Sequence, residues 1–142
     1  MSALLEVEGL SAFYGRAQIL FDVALALRAG EVASLMGRNG AGKTTTLKAI
    51  MGLVDARASR LVFDGRSIAG LASYRVARAG LGYVPEDRRI FTDLTVFENL
   101  EVGRRAAPDD AEPWTPERLF AIFPNLAEMR GRPRGSRTPS GR

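Results

Sequence analysis

Nine consecutive residues, Gly37-Arg38-Asn39-Gly40-Ala41-Gly42-Lys43-Thr44-Thr45, satisfy the pattern G-x-x-x-x-G-K-[ST] and stand between an apolar run and a helical one. Ahead of them, Glu31–Met36 reads as a short buried strand. Behind them, Thr45–Met51 reads as a helix with Leu47, Ile50 and Met51 facing inward. Strand, glycine-rich loop and helix in that order commit the chain to an α/β core whose loop opens onto a helix N-terminus.

That order has a chemical purpose. A polyphosphate is wrapped by backbone N–H groups at the positive end of a helix, and the approach must be clear of side chains. Gly37, Gly40 and Gly42 supply that access, with Asn39 and Ala41 completing the wrap. Lys43 is expected to reach the outer phosphates as a compact point charge, and the Thr44 hydroxyl to coordinate a magnesium ion that neutralises them. Thr45 adds a hydroxyl or backbone contact to the inner phosphate. The expected ligands are therefore ATP and Mg2+.

Three segments carry a family resemblance. The form G-R-N-G-A-G-K-T-T resembles the loop of ATP-binding-cassette proteins more closely than that of GTPases or small-molecule kinases. Leu4–Tyr14 resembles the opening strand of such a domain, and Tyr14 matches the position where the family stacks a ring on adenine. Such stacking contributes on the order of 1 kcal/mol and tolerates any base. Gly82-Tyr83-Val84-Pro85-Glu86-Asp87-Arg88-Arg89-Ile90-Phe91, followed by Leu94-Thr95-Val96-Phe97-Glu98-Asn99-Leu100, resembles V-P-E-G-R-R-I-F then L-T-V-x-E-N-L. That form is typical of cassette ATPases driving uptake of branched-chain and related amino acids; the chain departs from it at Asp87, where glycine is usual.

The resemblance implies a P-loop core with an antiparallel β element at its start. It implies catalytic roles for Lys43 and Glu86, and a second metal contact from Glu86, which stands where most cassette ATPases have a glutamine. A carboxylate suits that place, since it accepts from bound water and binds the cation. It also implies permease subunits in the membrane, a second copy or paralogous ATP-binding subunit, and a cytoplasmic location on the inner face of the cell membrane through those subunits.

Composition sets bounds. Apolar residues make up 46% and charged residues 25%, ordinary values for a globular protein. No run of about 18 apolar residues and no signal-peptide pattern is present, so direct membrane insertion is not expected. Without cysteine there is no disulfide framework and no thiol chemistry. The net charge of +4 resides in the tail: Arg130, Arg132, Arg134, Arg137 and Arg142 leave residues 1–129 at −1. Nucleic-acid binders spread basic residues over a folded face, so a nucleic-acid partner is not expected.

A pass along the chain predicts strands at Leu4–Glu8, Asp22–Leu27, Glu31–Met36, Arg60–Phe63 and Leu81–Val84. It predicts helices at Lys43–Met51, Leu71–Ala79, Val96–Arg105 and Pro116–Phe123. Asp64-Gly65 reads as a turn, and Thr95 with Glu98 has capping-box spacing. Thr115-Pro116-Glu117 is a helix start, with Phe120 and Phe123 packing inward before Pro124 ends the helix. Residues 1–129 read as a partial nucleotide-binding domain, incomplete at the C-terminus. Residues 130–142 read as a basic Pro/Gly/Arg tail, disordered or frameshifted.

A complete cassette ATPase continues with an L-S-G-G-Q-type signature, an apolar strand ending in Asp-Glu, and a sensor histidine. Here the histidine count is zero, and the nearest match to the signature is Thr138-Pro139-Ser140-Gly141-Arg142. The expected function is the ATP-binding subunit of an importer, with ATP bound better than it is turned over. Two alternatives remain: a non-catalytic nucleotide-binding remnant without transport activity, and a P-loop kinase or GTPase.

Overall fold

The computed structural model describes residues 2–87 and 90–132. The chain divides into two compact units, Met1–Val84 and Pro85–Arg142. The first is an α/β unit built on an antiparallel sheet. Its strands are β1 (Leu5–Tyr14), β2 (Ala17–Leu27), β3 (Asp55–Arg57), β4 (Arg60–Phe63) and β5 (Arg66–Ser67), with helices α1 (Lys43–Ile50) and α2 (Ser73–Arg78). The order is β2-β1-β4-β5, and β3 pairs with the distal end of β1.

β1 organises the sheet because it is paired on both edges, with β2 on one and with β4 and then β3 on the other. Its buried residues change phase along the strand: Leu5 and Val7 are buried, then Leu10 and Ala12. A strict period of two would turn half of this set towards water. Gly9 absorbs the change as an extra residue opposite β2, at φ +61°, and a Cβ there would lie 2.7 Å from Ser59 Oγ. Ser59 closes the bulge, donating from its backbone N–H and its hydroxyl to the Glu8 carbonyl, both at 3.0 Å. At the β4–β5 hairpin, Asp64 (φ +48°) and Gly65 (φ +75°) form the expected Asp-Gly turn, whose two left-handed residues match the twist of the strands.

The core joins Leu5, Val7, Leu10, Ala12, Leu20 and Leu61 of the sheet to Ala49, Ile50 and Met51 of the α1 end, with Ile68 and Val76. Ile50 and Met51 face inward as the spacing predicts. Leu47 does not; it is 44% exposed, because the buried stripe of α1 runs through Thr45, Thr46, Ala49 and Ile50.

Two expected strands are absent. Glu31–Met36 has no ladder partner among the described residues, with Val32 98% and Met36 88% exposed. Leu81–Val84 is likewise unpaired, and Val84 is 92% exposed. A parallel strand satisfies its backbone between neighbours, and β1 has already taken both of its own from the antiparallel set. Apolar content alone does not make these segments strands.

The second unit is helical: α3 (Val96–Val102), α4 (Pro116–Ile122) and α5 (Pro124–Glu128). Thr95 and Glu98 form the predicted capping box in full. The Glu98 N–H donates to Thr95 Oγ1 at 3.2 Å, and the Thr95 N–H donates to the Glu98 carboxylate at 2.8 Å. α3 stops at Val102, three residues short of the prediction, with Gly103 as its C-cap in right-handed geometry at φ −80°. Thr115 caps α4 and Pro116 takes the first turn, as expected. Pro124 does more than end α4, since it opens α5; Phe123 between the two is 52% exposed rather than packed inward. Arg130 stacks over Phe97 at 4.5 Å and Phe120 at 5.5 Å, and its carbonyl accepts from the Phe97 N–H at 3.2 Å, tying the end of α5 to α3 and α4.

Candidate nucleotide-binding site

Residues Gly37–Ala41 form an exposed loop that runs into α1, and Gly42 is the N-cap of that helix at φ +93°. No side chain caps the helix and no acid occupies its first turn. The leading N–H groups, which have no intrahelical acceptor, therefore keep their capacity for an anion. A loop of this shape with a positive helix end behind it is suited to phosphate oxygens.

The Lys43 ammonium lies across the loop. It donates to the Gly37 carbonyl and, at 3.0 Å, to the Arg38 carbonyl. The Ala41 N–H donates to the same Arg38 carbonyl at 3.0 Å, so the loop is pulled into an arch by its own lysine. Thr44 is exposed on the first turn, whereas Thr45 is buried at 9% exposure on the core-facing stripe. Thr46, also buried, donates from Oγ1 to the Gly42 carbonyl at 2.8 Å and holds the N-cap from inside.

Tyr14 ends β1 and is paired with Ala17 across the two-residue turn Gly15-Arg16, with 47% of its surface exposed. Glu86 belongs to the second unit, where it is exposed in a turn directly after Pro85. Arg88 and Arg89, and the signature-like Thr138–Arg142 with the tail from 133 onward, lie outside the described residues.

One residue of the site escaped the sequence reading. A Cβ built on Gly42 would lie 2.6 Å from Leu20 Cδ2, so the side chain of β2 fills the space that glycine leaves open. Leu20 stands within an ordinary apolar run, and nothing in its local pattern announces a contact 22 positions downstream.

Among the described residues no group of three or more Asp, Glu, His or Cys side chains could hold a metal, and no helix is long and apolar enough to cross a membrane.

Known proteins share this fold. The solved ATP-binding subunit of an ABC transporter superposes with a TM-score of 0.69 at 31% identity, over 90% of this chain and 53% of that one. An ATP-binding cassette solved in its ADP conformation superposes with a TM-score of 0.67 over 98% of this chain at 22% identity, which speaks for the fold alone. In sequence, the chain is 35% identical over 125 residues to the high-affinity branched-chain amino acid transport ATP-binding protein BraG of Pseudomonas aeruginosa, covering 88% of this chain and 54% of BraG. It is 40% identical over 98 residues to the lipopolysaccharide export system ATP-binding protein LptB of Haemophilus influenzae, covering 69% of this chain and 41% of LptB. The chain spans about half the length of the curated relatives it matches. Residues 20–134 match the ABC transporter family, and with the loop, its lysine and the superposed cassettes in agreement, this chain belongs to that family.

Proposed function

We propose that this chain is the nucleotide-binding part of an ATP-driven importer for branched-chain amino acids. The observation that carries the nucleotide assignment is the arch of Gly37–Gly42 held by Lys43 over the uncapped start of α1. In this reading the loop N–H groups, with Asn39 and Ala41 in the wrap, take the phosphates and Lys43 turns from its two carbonyls to the outer phosphate oxygens. The Thr44 hydroxyl would hold Mg2+, which would neutralise the phosphate charge. Glu86, in the second unit, keeps the metal and catalytic roles that the family resemblance implies. Thr45, whose side chain is buried, contributes through its backbone N–H.

The substrate assignment rests on the likeness to BraG and on the P-E-D-R-R-I-F segment. The likeness to LptB makes export of a lipid cargo the competing outcome. Either cargo requires permease subunits in the membrane and a second ATP-binding subunit, with this chain on the cytoplasmic face. Residues 1–129 are taken as the cassette portion, with Arg130 packed against it on Phe97 and Phe120 and the family match running to residue 134.

Titration with a fluorescent ATP analogue tests the site: saturable binding that needs Mg2+, is displaced by ATP in preference to GTP, and is lost in Lys43→Ala is the expected result. Binding that survives Lys43→Ala would reject it. Uptake of labelled leucine by cells lacking the gene separates the cargo readings.

A second reading, a nucleotide-binding remnant that does not turn over, is favoured by the bare Glu31–Met36 segment immediately before the loop. A phosphate-release assay distinguishes the two, since only the importer reading requires ATP hydrolysis in the assembled transporter.

A further inference from the structure

We infer that Leu20 is a positioning residue for the phosphate loop, setting how the loop seats on the start of α1 and hence how tightly a nucleoside triphosphate is held. The inference rests on the nucleotide-binding reading above and adds a determinant from a different element of the fold.

Leu20 is the one fully buried residue of β2, at 3% exposure, while its neighbours Ile19 and Phe21 are 37% and 68% exposed. β2 is irregular on both sides of it. Ala12 pairs with Leu20 but Phe13 pairs with Gln18, which leaves Ile19 as an extra residue; Leu10 pairs with Val23, which leaves a second extra residue at Phe21-Asp22. Asp22 adopts φ +51°, and its N–H is directed at Ser11 Oγ, 3.5 Å away. Bulges re-aim side chains. Here two of them in four residues turn a single leucine fully inward between exposed neighbours, while Val23, Leu25 and Leu27 farther along the strand are only partly buried against the core.

What that leucine meets is the N-cap of α1. Its Cδ2 occupies the space a Cβ on Gly42 would need, and the Ile19 carbonyl lies 4.0 Å from the same point. Gly42 in turn presents the carbonyl that receives both the Thr46 N–H and the Thr46 hydroxyl, at 2.8 Å each. Leu20, Gly42 and Thr46 thus clamp the hinge between loop and helix from the core side, leaving the opposite side of the loop clear. An anion site made of backbone N–H groups works only when those groups converge to within a fraction of an ångström, so the residue that fixes the hinge affects affinity without touching the ligand. The same strand pairs Ala17 with Tyr14, so the hairpin that presents the stacking ring also carries the wedge under the phosphate loop.

The test compares Leu20→Val with Leu61→Val. Leu61 is equally buried, on β4 opposite Val7, and makes no contact with Gly42 among the atoms nearest to it. Both variants remove one methylene from the core, so their urea midpoints should fall together. A leucine that only packs would leave ATP affinity alike in the two. We expect Leu20→Val to bind ATP about tenfold more weakly than Leu61→Val, which corresponds to ~1.4 kcal/mol of lost positioning. Should Leu20→Val fail to fold, Leu20→Met against Leu61→Met gives the same ordering on a smaller scale, since Met keeps the volume and changes the shape of the tip. Equal affinities within either pair would overturn the inference. A wild-type chain with no saturable ATP binding would remove the site itself, and the inference with it.

Discussion

Asn99 shows how much one side chain holds in the second unit. Its Oδ1 accepts from the Phe91 N–H at 2.9 Å, and its Nδ2 donates to the carbonyls of Phe91, Leu94 and Thr95 at 2.9, 3.2 and 2.9 Å. One amide therefore fastens the segment before α3 to the helix, downstream of the turn that carries Glu86. Replacing it with alanine leaves several backbone groups without their partner, each costing about 1 kcal/mol after exchange with water. Asn99→Ala is expected to destabilise the unit by roughly 1–3 kcal/mol and to raise the amide exchange rate of Phe91; an unchanged rate would mean water replaces the amide at no cost. The sequence displays Asn99 only as a member of the E-N-L run, because a fourfold side-chain network is set by where the loop returns, not by spacing. Lys43 and Gly42 are different: the spacing of the loop motif alone marks them out.

At the level of elements, the capping box illustrates a local rule that transfers directly from sequence to structure. Hydrogen bonds from the Thr95 backbone N–H first, and its hydroxyl second, hold the Glu98 carboxyl below the usual carboxylate range. A carboxylate with a depressed folded pKa contributes stability that is complete above its unfolded value, about 4.3, and is lost as the pH falls through the lower folded value. The start of α3 should accordingly loosen only in strongly acidic solution. Amide exchange at Thr95 followed across that range should show protection falling with pH. In Glu98→Gln, which keeps the acceptor without the charge, the pH dependence should vanish; its persistence would assign the effect to another group. The Asp64-Gly65 turn and the α4 start are legible in the same way, because Asp64-Gly65 and Thr115-Pro116 act within a few residues. The family resemblance anticipated the full length of β1, but that of β2 is not legible, since it begins at Ala17, ahead of the expected Asp22, through bulges that only the partner strand defines.

For the whole molecule, the bare segments are decisive. Val32, Met36 and Val84 are among the most exposed apolar side chains of the described residues, in a chain spanning about half of its relatives. Strand-forming sequence left unpaired is a template for association. We expect the chain alone to bind a hydrophobic dye and to exchange the amides of residues 31–36 and 81–84 rapidly. Extending it with the remaining length of a BraG-like cassette should protect those amides and suppress the dye signal. Protection already complete in the chain alone would show that these segments have found a partner, and would count against the remnant reading.

What the sequence determined by itself was carried by short range: the glycine-rich loop motif and the family, the helix starts at Thr95 and Thr115, and the Asp-Gly turn. These depend on spacing along a few turns of backbone. Tertiary structure alone decided that Glu31–Met36 and Leu81–Val84 stand unpaired, that Leu47 faces water, and that Leu20 fills the space above Gly42. Strand pairing and side-chain wedging require a second segment from far along the chain, and neither periodicity nor motif spacing specifies which segment arrives.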